Sequence, residues 1–333
     1  TDSDEETVDP ANVVDAGTYT VTVTAKADDP EDSYVNNFTG STSTKFTIEP
    51  ASIEKYEVSV EPESNTYNGE EQLPKVIVKQ TEASIDELVE GEDFTATYTV
   101  GGKTADEVKD AAAYTVTVTG KGNYAGTADK TATYTIKPYD ITEAVVDFGT
   151  TEAVYTGEAI DPKITVKLGE KTLAISEDGG ETGDCTVTWY KGIDIVDPKD
   201  IKDAGDYNPV VQGVNNYTGS PKSVGSFNIA PASIKDAKVS YSPESATYTG
   251  SPISEPTVTV KLGDKPLTVS TDGGATGDCM VTWPETIQNA ADYKPTVTGV
   301  NNYKDSPSEV TPFTVEKASI DDYEVALEKD KVT

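Results

Sequence analysis

The 333-residue sequence has no histidine and no arginine, a single methionine, two cysteines and two tryptophans. Without histidine there is no Ser-His-Asp or Cys-His arrangement, and the commonest general base is missing. No G-x-x-x-x-G-K-[ST] or G-x-G-x-x-G follows a strand and opens a helix, which removes the usual phosphate cradles. No apolar run approaches the roughly 18–20 residues of a spanning helix. All 26 basic residues are lysine against 59 acids, a net charge of −33. Such a balance repels nucleic acid and anionic lipid and keeps a long chain soluble. The reading is a non-enzymatic protein with no nucleic-acid partner and no membrane insertion. The opening "TDSDEETVDP" is acidic, not basic-then-apolar, so an export signal or wall anchor is expected outside this chain.

What the sequence does have is repetition. "DAGTYTVTV" (15–23) returns as "DAAAYTVTV" (110–118), "DAGDYNPVV" (203–211) and "NAADYKPTV" (289–297). "IEPASI" (48–53) returns as "IKPYDI" (136–141), "IAPASI" (229–234) and "VEKASI" (315–320). A third element, "TYNGEEQLPKVIV", "VYTGEAIDPKITV" and "TYTGSPISEPTVTV", starts at Thr66, Val154 and Thr247. These marks divide the chain into full repeats at 54–141, 142–234 and 235–320. Residues 1–53 read as the C-terminal part of a preceding repeat and 321–333 as the first strand of a following one. Apolar and polar residues alternate in "ITVKL", "TVTVKL", "CTVTW" and "YTVTV", broken by Gly, Pro, Asn and Asp. The expected fold class is all-β, with roughly seven short strands per repeat packed as a two-sheet sandwich.

The Asp-Ala-Gly-x-Tyr pattern resembles the tyrosine corner of immunoglobulin-like domains, which places Tyr19, Tyr114, Tyr207 and Tyr293 at a strand-crossing corner. Val21 stands where an antibody domain has its cysteine, and Pro209 and Pro295 take that place in the last two repeats. Tyr98, Trp189 and Trp283 fall where such domains put the core aromatic. Burial without a crosslink is then expected to hold the sheets together. Cys185 and Cys279 share the context "TGDC-VTW", and Phe94 takes their place in the first full repeat. A site that accepts Phe or Cys is most simply apolar core, and period two puts each cysteine on the face of its tryptophan. Equivalent positions in successive domains lie too far apart for a disulfide, so free buried thiols are expected.

Three features offer sharper chemistry. Asp178 and Asp184, and again Asp272 and Asp278, flank Gly-rich turns and supply oxygens of the kind calcium takes. The spacing matches no ligand set, and a hairpin loop whose glycines supply positive φ is the favoured reading, so no cofactor is assigned. The loop "NNFTG", "GNYAG", "NNYTG", "NNYKD" carries Phe38, Tyr124, Tyr217 and Tyr303, rings that can stack on a sugar or pack back on the domain. Lys79, Lys167 and Lys261 recur as isopeptide candidates, but alternation turns them away from the apolar face.

Taken together, "DAG-Y-VTVTG-GNY-G", the closing "F/Y-T-I-x-P-A-S-I" and the following "Y-T/N-G" resemble bacterial immunoglobulin-like repeats of the MBG/YDG type. That resemblance covers nearly the whole chain and brings no catalytic residues. It implies tandem sandwiches in an extended rod, stiffened by Pro50, Pro138 and Pro231, in a secreted or wall-attached surface protein, often an adhesin. Three roles stay open. The repeats are a spacer touching only their neighbours, or an array binding mucin or polysaccharide of a host, or a fibre subunit joined to other copies by strand complementation.

Overall fold

The computed structural model describes residues 7–26, 37–80, 87–126, 129–321, 324 and 326. They form an all-β chain whose helical content is four single 3-10 turns. Most of the segment 321–333, read as a further first strand, lies outside the described residues. Contacts group the chain into two units, one of 1–141 with 177–185 and 213–219, the other of 142–176, 186–212 and 220–333.

In the first unit, Gly17–Thr24 pairs antiparallel with Ser41–Ile48, setting Tyr19 opposite Phe46. Val21 and Val23 on this hairpin are 45% and 64% exposed. Their counterparts Val116 and Val118 are wholly buried, because 54–141 also supplies a facing sheet, Glu57–Glu61 with Lys75–Lys79. The opposing sheet of that repeat runs Ser64–Thr66, Lys130–Lys137, Ala112–Gly120, Phe94–Val100, Lys103–Thr104. Strict alternation along Ala112–Gly120 sends Tyr114, Val116 and Val118 inward to meet Val60, Val76 and Val78 in one core.

The second unit repeats the arrangement. Val145–Phe148, Ile164–Leu168 and Lys171–Leu173 form one sheet. A five-stranded sheet orders Glu152–Val154, Phe227–Ala230, Gly205–Gly213, Cys185–Lys191 and Asp194–Val196. Trp189, 3% exposed, packs edge-on against Phe148 at 6.3 Å beside Tyr207 and Phe227. In 235–320 the same sheet is broken. Asp292–Tyr293 and Thr296–Gly299 lie on either side of Lys294 and Pro295, and the neighbouring strand ends at Thr282, before Trp283 and Pro284. Each proline removes an amide from the ladder. Trp283 is therefore past the strand end and half-buried between Tyr241 and Phe313, at 5.9 and 6.2 Å. Pro209 is also buried, yet Gly205–Gly213 continues through it.

One pairing recurs in all three repeats. The short strands Ser64–Thr66, Glu152–Val154 and Ser245–Thr247 run parallel to the closing strands Lys130–Lys137, Phe227–Ala230 and Phe313–Glu316.

Candidate functional site

The four corner tyrosines behave alike. Tyr19, Tyr114, Tyr207 and Tyr293 each donate their hydroxyl to the carbonyl four residues upstream, at 2.9, 2.9, 2.8 and 3.0 Å. The acceptors are Asp15, Asp110, Asp203 and Asn289, the first residues of the repeated "D-A" turn. Tying the turn to the buried ring fixes the direction of its free groups, the acidic side chain and the following amide.

Those free groups meet the asparagine just before the aromatic of an "N-aromatic" loop from the next repeat. Asn123 Nδ2 donates to Asp15 Oδ1 at 2.9 Å while its Oδ1 accepts from the Ala16 amide at 2.7 Å. Asn216 makes the same pair with Asp110 and Ala111, at 2.8 and 2.6 Å. Asn302 makes it with Asp203 and Ala204, at 2.9 and 2.7 Å. An amide side chain is suited to this task, since it offers a donor and an acceptor side by side. An aspartate accepting from an amide gains a charge-assisted bond.

Next to the polar pair the loop aromatic closes the joint. Tyr217 and Tyr303 are each 4% exposed. They pack edge-to-face on Tyr67 and Tyr155, the tyrosines of the "Y-N/T-G" element one repeat earlier, at 5.5 and 5.4 Å. Lys265 Nζ lies 5.3 Å from the Tyr155 ring and 5.4 Å from the Tyr303 ring. Its hydrogen bond to the Tyr303 hydroxyl holds the Lys265 pKa above the ordinary value. Two parallel backbone rungs complete the joint, pairing Tyr139–Asp140 with Tyr217–Thr218 and Ala232–Ser233 with Tyr303–Lys304. Tyr124 instead packs edge-on against Tyr56 of its own repeat at 5.8 Å. Phe38 is 78% exposed.

The loop is built for this reach. Its first asparagine, Asn215 or Asn301, sits at φ 58° or 57°, a left-handed conformation that asparagine tolerates. Its amide donates to the Gly183 or Gly277 carbonyl at 3.0 Å, bracing the "DGG-TGD" loop. The first full repeat lacks that loop, and Gly122 takes the position at φ 57°. Gly213 and Gly299 are required for space. A Cβ there would lie 2.8 Å from the Thr218 nitrogen or 2.7 Å from the Lys304 nitrogen.

The other sequence candidates lie elsewhere. Cys185 and Cys279 are wholly buried thiols outside any disulfide, and burial, with the adjacent Asp184 or Asp278 adding, pushes each thiol up to about 11. Tyr98 is half-buried on the Phe94 face, and burial raises its pKa. Asp272 accepts from Thr276 N, Thr276 Oγ1 and Ser270 Oγ, which together hold it down to about 2. Asp178 accepts from Thr182 in the same way, at 2.9 and 2.7 Å, and Asp278 from the Thr268 amide at 2.8 Å. Their oxygens fasten turns, and the Asp184 carbonyl accepts from the Val214 amide at 3.1 Å. Among the described residues no group of three metal-ligating side chains is present. Lys167 and Lys261 are exposed and Lys79 is half-buried. No helix among the described residues is long and apolar enough to cross a membrane.

The joint was not read from the sequence. In the sequence the "Y-T-G" element reads only as a repeat mark and the "D-A" turn only as part of a corner. Their recurrence in every repeat together with the loop asparagine was the available signal.

The joint supports a mutational expectation. Asn302→Ala removes two bonds and strands the part-buried Ala204 amide, at a cost of about 1–3 kcal/mol. Asn302→Asp costs at least as much, since it sets a second carboxylate against Asp203. Urea midpoints read both, and unchanged midpoints would remove the pair from the stability of the fold.

No protein-family profile matches this sequence, and no curated protein does. Among solved structures the chain is similar to the three N-terminal domains of the bacteriophage RB49 highly immunogenic outer capsid protein Hoc. The identity is 12%, over 79% of this chain and 100% of that one, with a TM-score of 0.26. It is also similar to the protocadherin gammaB4 extracellular domain, at 10% identity over 91% of this chain and 56% of that one, TM-score 0.20. A third is the Bacteroides ovatus mixed-linkage glucan utilization locus protein SGBP-B in complex with a mixed-linkage heptasaccharide. There the identity is 11% over 84% and 74% of the two chains, TM-score 0.16. Superpositions this loose carry no argument about sites or ligands.

Proposed function

We propose that the chain is a run of tandem immunoglobulin-like β-sandwich repeats of the MBG/YDG type, serving as the non-enzymatic stalk of a bacterial extracellular surface protein, in kind an adhesin. The repeats are 54–141, 142–234 and 235–320, preceded by the late strands of one unit and followed by a segment whose sequence matches the opening of another. Their partners are the neighbouring repeats, and no cofactor takes part.

The observation that supports this reading is the joint itself. The same asparagine clamp recurs at three successive places, and the loop aromatics Tyr217 and Tyr303 are buried against protein. A module whose most elaborate recurring contact joins it to its neighbour is suited to holding something at a distance. Mucin or polysaccharide binding through those rings has less support, because their faces are covered.

Small-angle scattering tests the rod. A compact globule of this length has a radius of gyration near 20 Å, from the relation of about 2.2·N^0.38. The expected value is clearly larger, and one near 20 Å would mean that the repeats fold back on one another.

A further inference from the structure

We propose that Asn68–Gly69 is a self-modifying site, where spontaneous loss of ammonia reroutes the main chain and loosens the joint closed by Asn216 and Tyr217.

Of the thirteen asparagines only Asn68 precedes a glycine. Its side chain is exposed, and the Glu70 amide donates to its Oδ1 at 2.8 Å, drawing electrons away from Cγ. Gly69 supplies the nucleophile. Among the described residues no acceptor takes its amide proton. Its φ is 84°, and a Cβ there would meet nothing within 4 Å, so solvent reaches the peptide group freely.

The Gly69 nitrogen, giving its proton to solvent base, attacks Asn68 Cγ. The bond from Cγ to Nδ2 breaks, Nδ2 takes a proton from water and leaves as ammonia, and a succinimide ring closes. Water then opens the ring at one of its two carbonyls. One opening gives aspartate. The other gives isoaspartate, in which the main chain runs through the former side-chain carbon.

The turn is pinned on both sides, and both pins lead to the joint. The Tyr67 amide donates to the Lys137 carbonyl and the Gln72 amide to the Val108 carbonyl, each at 2.8 Å. The Tyr67 ring packs on Tyr217, and Val108 lies two residues before Asp110, which with the Ala111 amide holds Asn216. Isoaspartate inserts one main-chain atom between the pins. It also turns the former Asn68 carbonyl into a carboxylate beside Glu70 and Glu71. Aspartate adds charge but keeps the chain length and the acceptor for the Glu70 amide.

The next two repeats build the same turn from Thr156–Gly157 and Thr249–Gly250. There the threonine Oγ1 accepts from Glu158 or Ser251, at 3.2 and 3.4 Å, and a hydroxyl offers no carbonyl carbon to attack. The rearrangement is therefore confined to the first full repeat.

Ageing the full chain in mildly alkaline buffer at physiological temperature tests this. Peptide mapping should find the gain of one mass unit at Asn68 ahead of every other asparagine, with isoaspartate among the products. In the isoaspartate form the Ala111 amide should exchange its hydrogen about 5–10-fold faster, as its bond to Asn216 weakens, while Ala204 keeps its rate. Asn68→Thr, the residue that the next repeats use, should age without either change. Freshly prepared Asn68→Asp should exchange at Ala111 like the parent. An Asn68 that reacts no faster than the other asparagines, aspartate with no isoaspartate, or isoaspartate with Ala111 exchange unchanged would overturn the proposal. So would faster Ala111 exchange in aged Asn68→Thr or fresh Asn68→Asp.

Discussion

Replacing Tyr303 by alanine is expected to lower stability by about 3–5 kcal/mol, the range for emptying a buried aromatic site. Three losses coincide there. The ring leaves a core cluster that includes Ile234, Val260, Leu267 and Cys279. Tyr155 loses its edge-to-face partner at 5.4 Å, and Lys265 loses both a ring and a hydroxyl acceptor. Tyr303→Phe should retain most of the stability, falling by about 1 kcal/mol for the single hydroxyl bond. Chemical denaturation of the full chain separates these outcomes. A Tyr303→Ala variant within 1 kcal/mol of the parent would mean that the ring is peripheral to the fold.

The second large effect concerns the thiols. At pH 8 a thiol with a pKa of about 11 is roughly a hundredfold less ionised than one at 9.0, so its attack on a disulfide reagent slows by a similar factor. Both cysteines are also 0% exposed, which slows native labelling further. In denaturant two thiols per chain should react promptly. Fast labelling of both in the native protein would remove Cys185 and Cys279 from the core.

These two sites also show what a single sequence discloses. Cysteine burial is local information, since period two sets Cys185 on the face of Trp189 and the equivalent Phe94 marks the position as apolar. The corner hydroxyls are local too, each reaching four residues back. Proline punctuation was partly legible. Pro209 lies within a continuous strand, whereas Pro295, joined by Pro284 just past the end of the neighbouring strand, splits the sheet and leaves Trp283 half-buried. The joint was not legible, because its partners lie far apart in sequence and each has a sufficient local explanation. Asn302 looks like a turn residue, Asp203 like part of a corner and Tyr155 like the edge of a loop. Only the fold shows that the three meet.

The parallel pairing of an early strand with the closing strand has a mechanical consequence. A repeat in a tethered chain feels tension through its two ends, and Ser64–Thr66 and Lys130–Lys137 lie near opposite ends of theirs. Because they point the same way, a pull draws one backward and the other forward. Their rungs are loaded together, as in a lap joint, and cannot be peeled one at a time like the rungs of a hairpin pulled from its open end. Glu152–Val154 and Ser245–Thr247 put the next two repeats under the same kind of load.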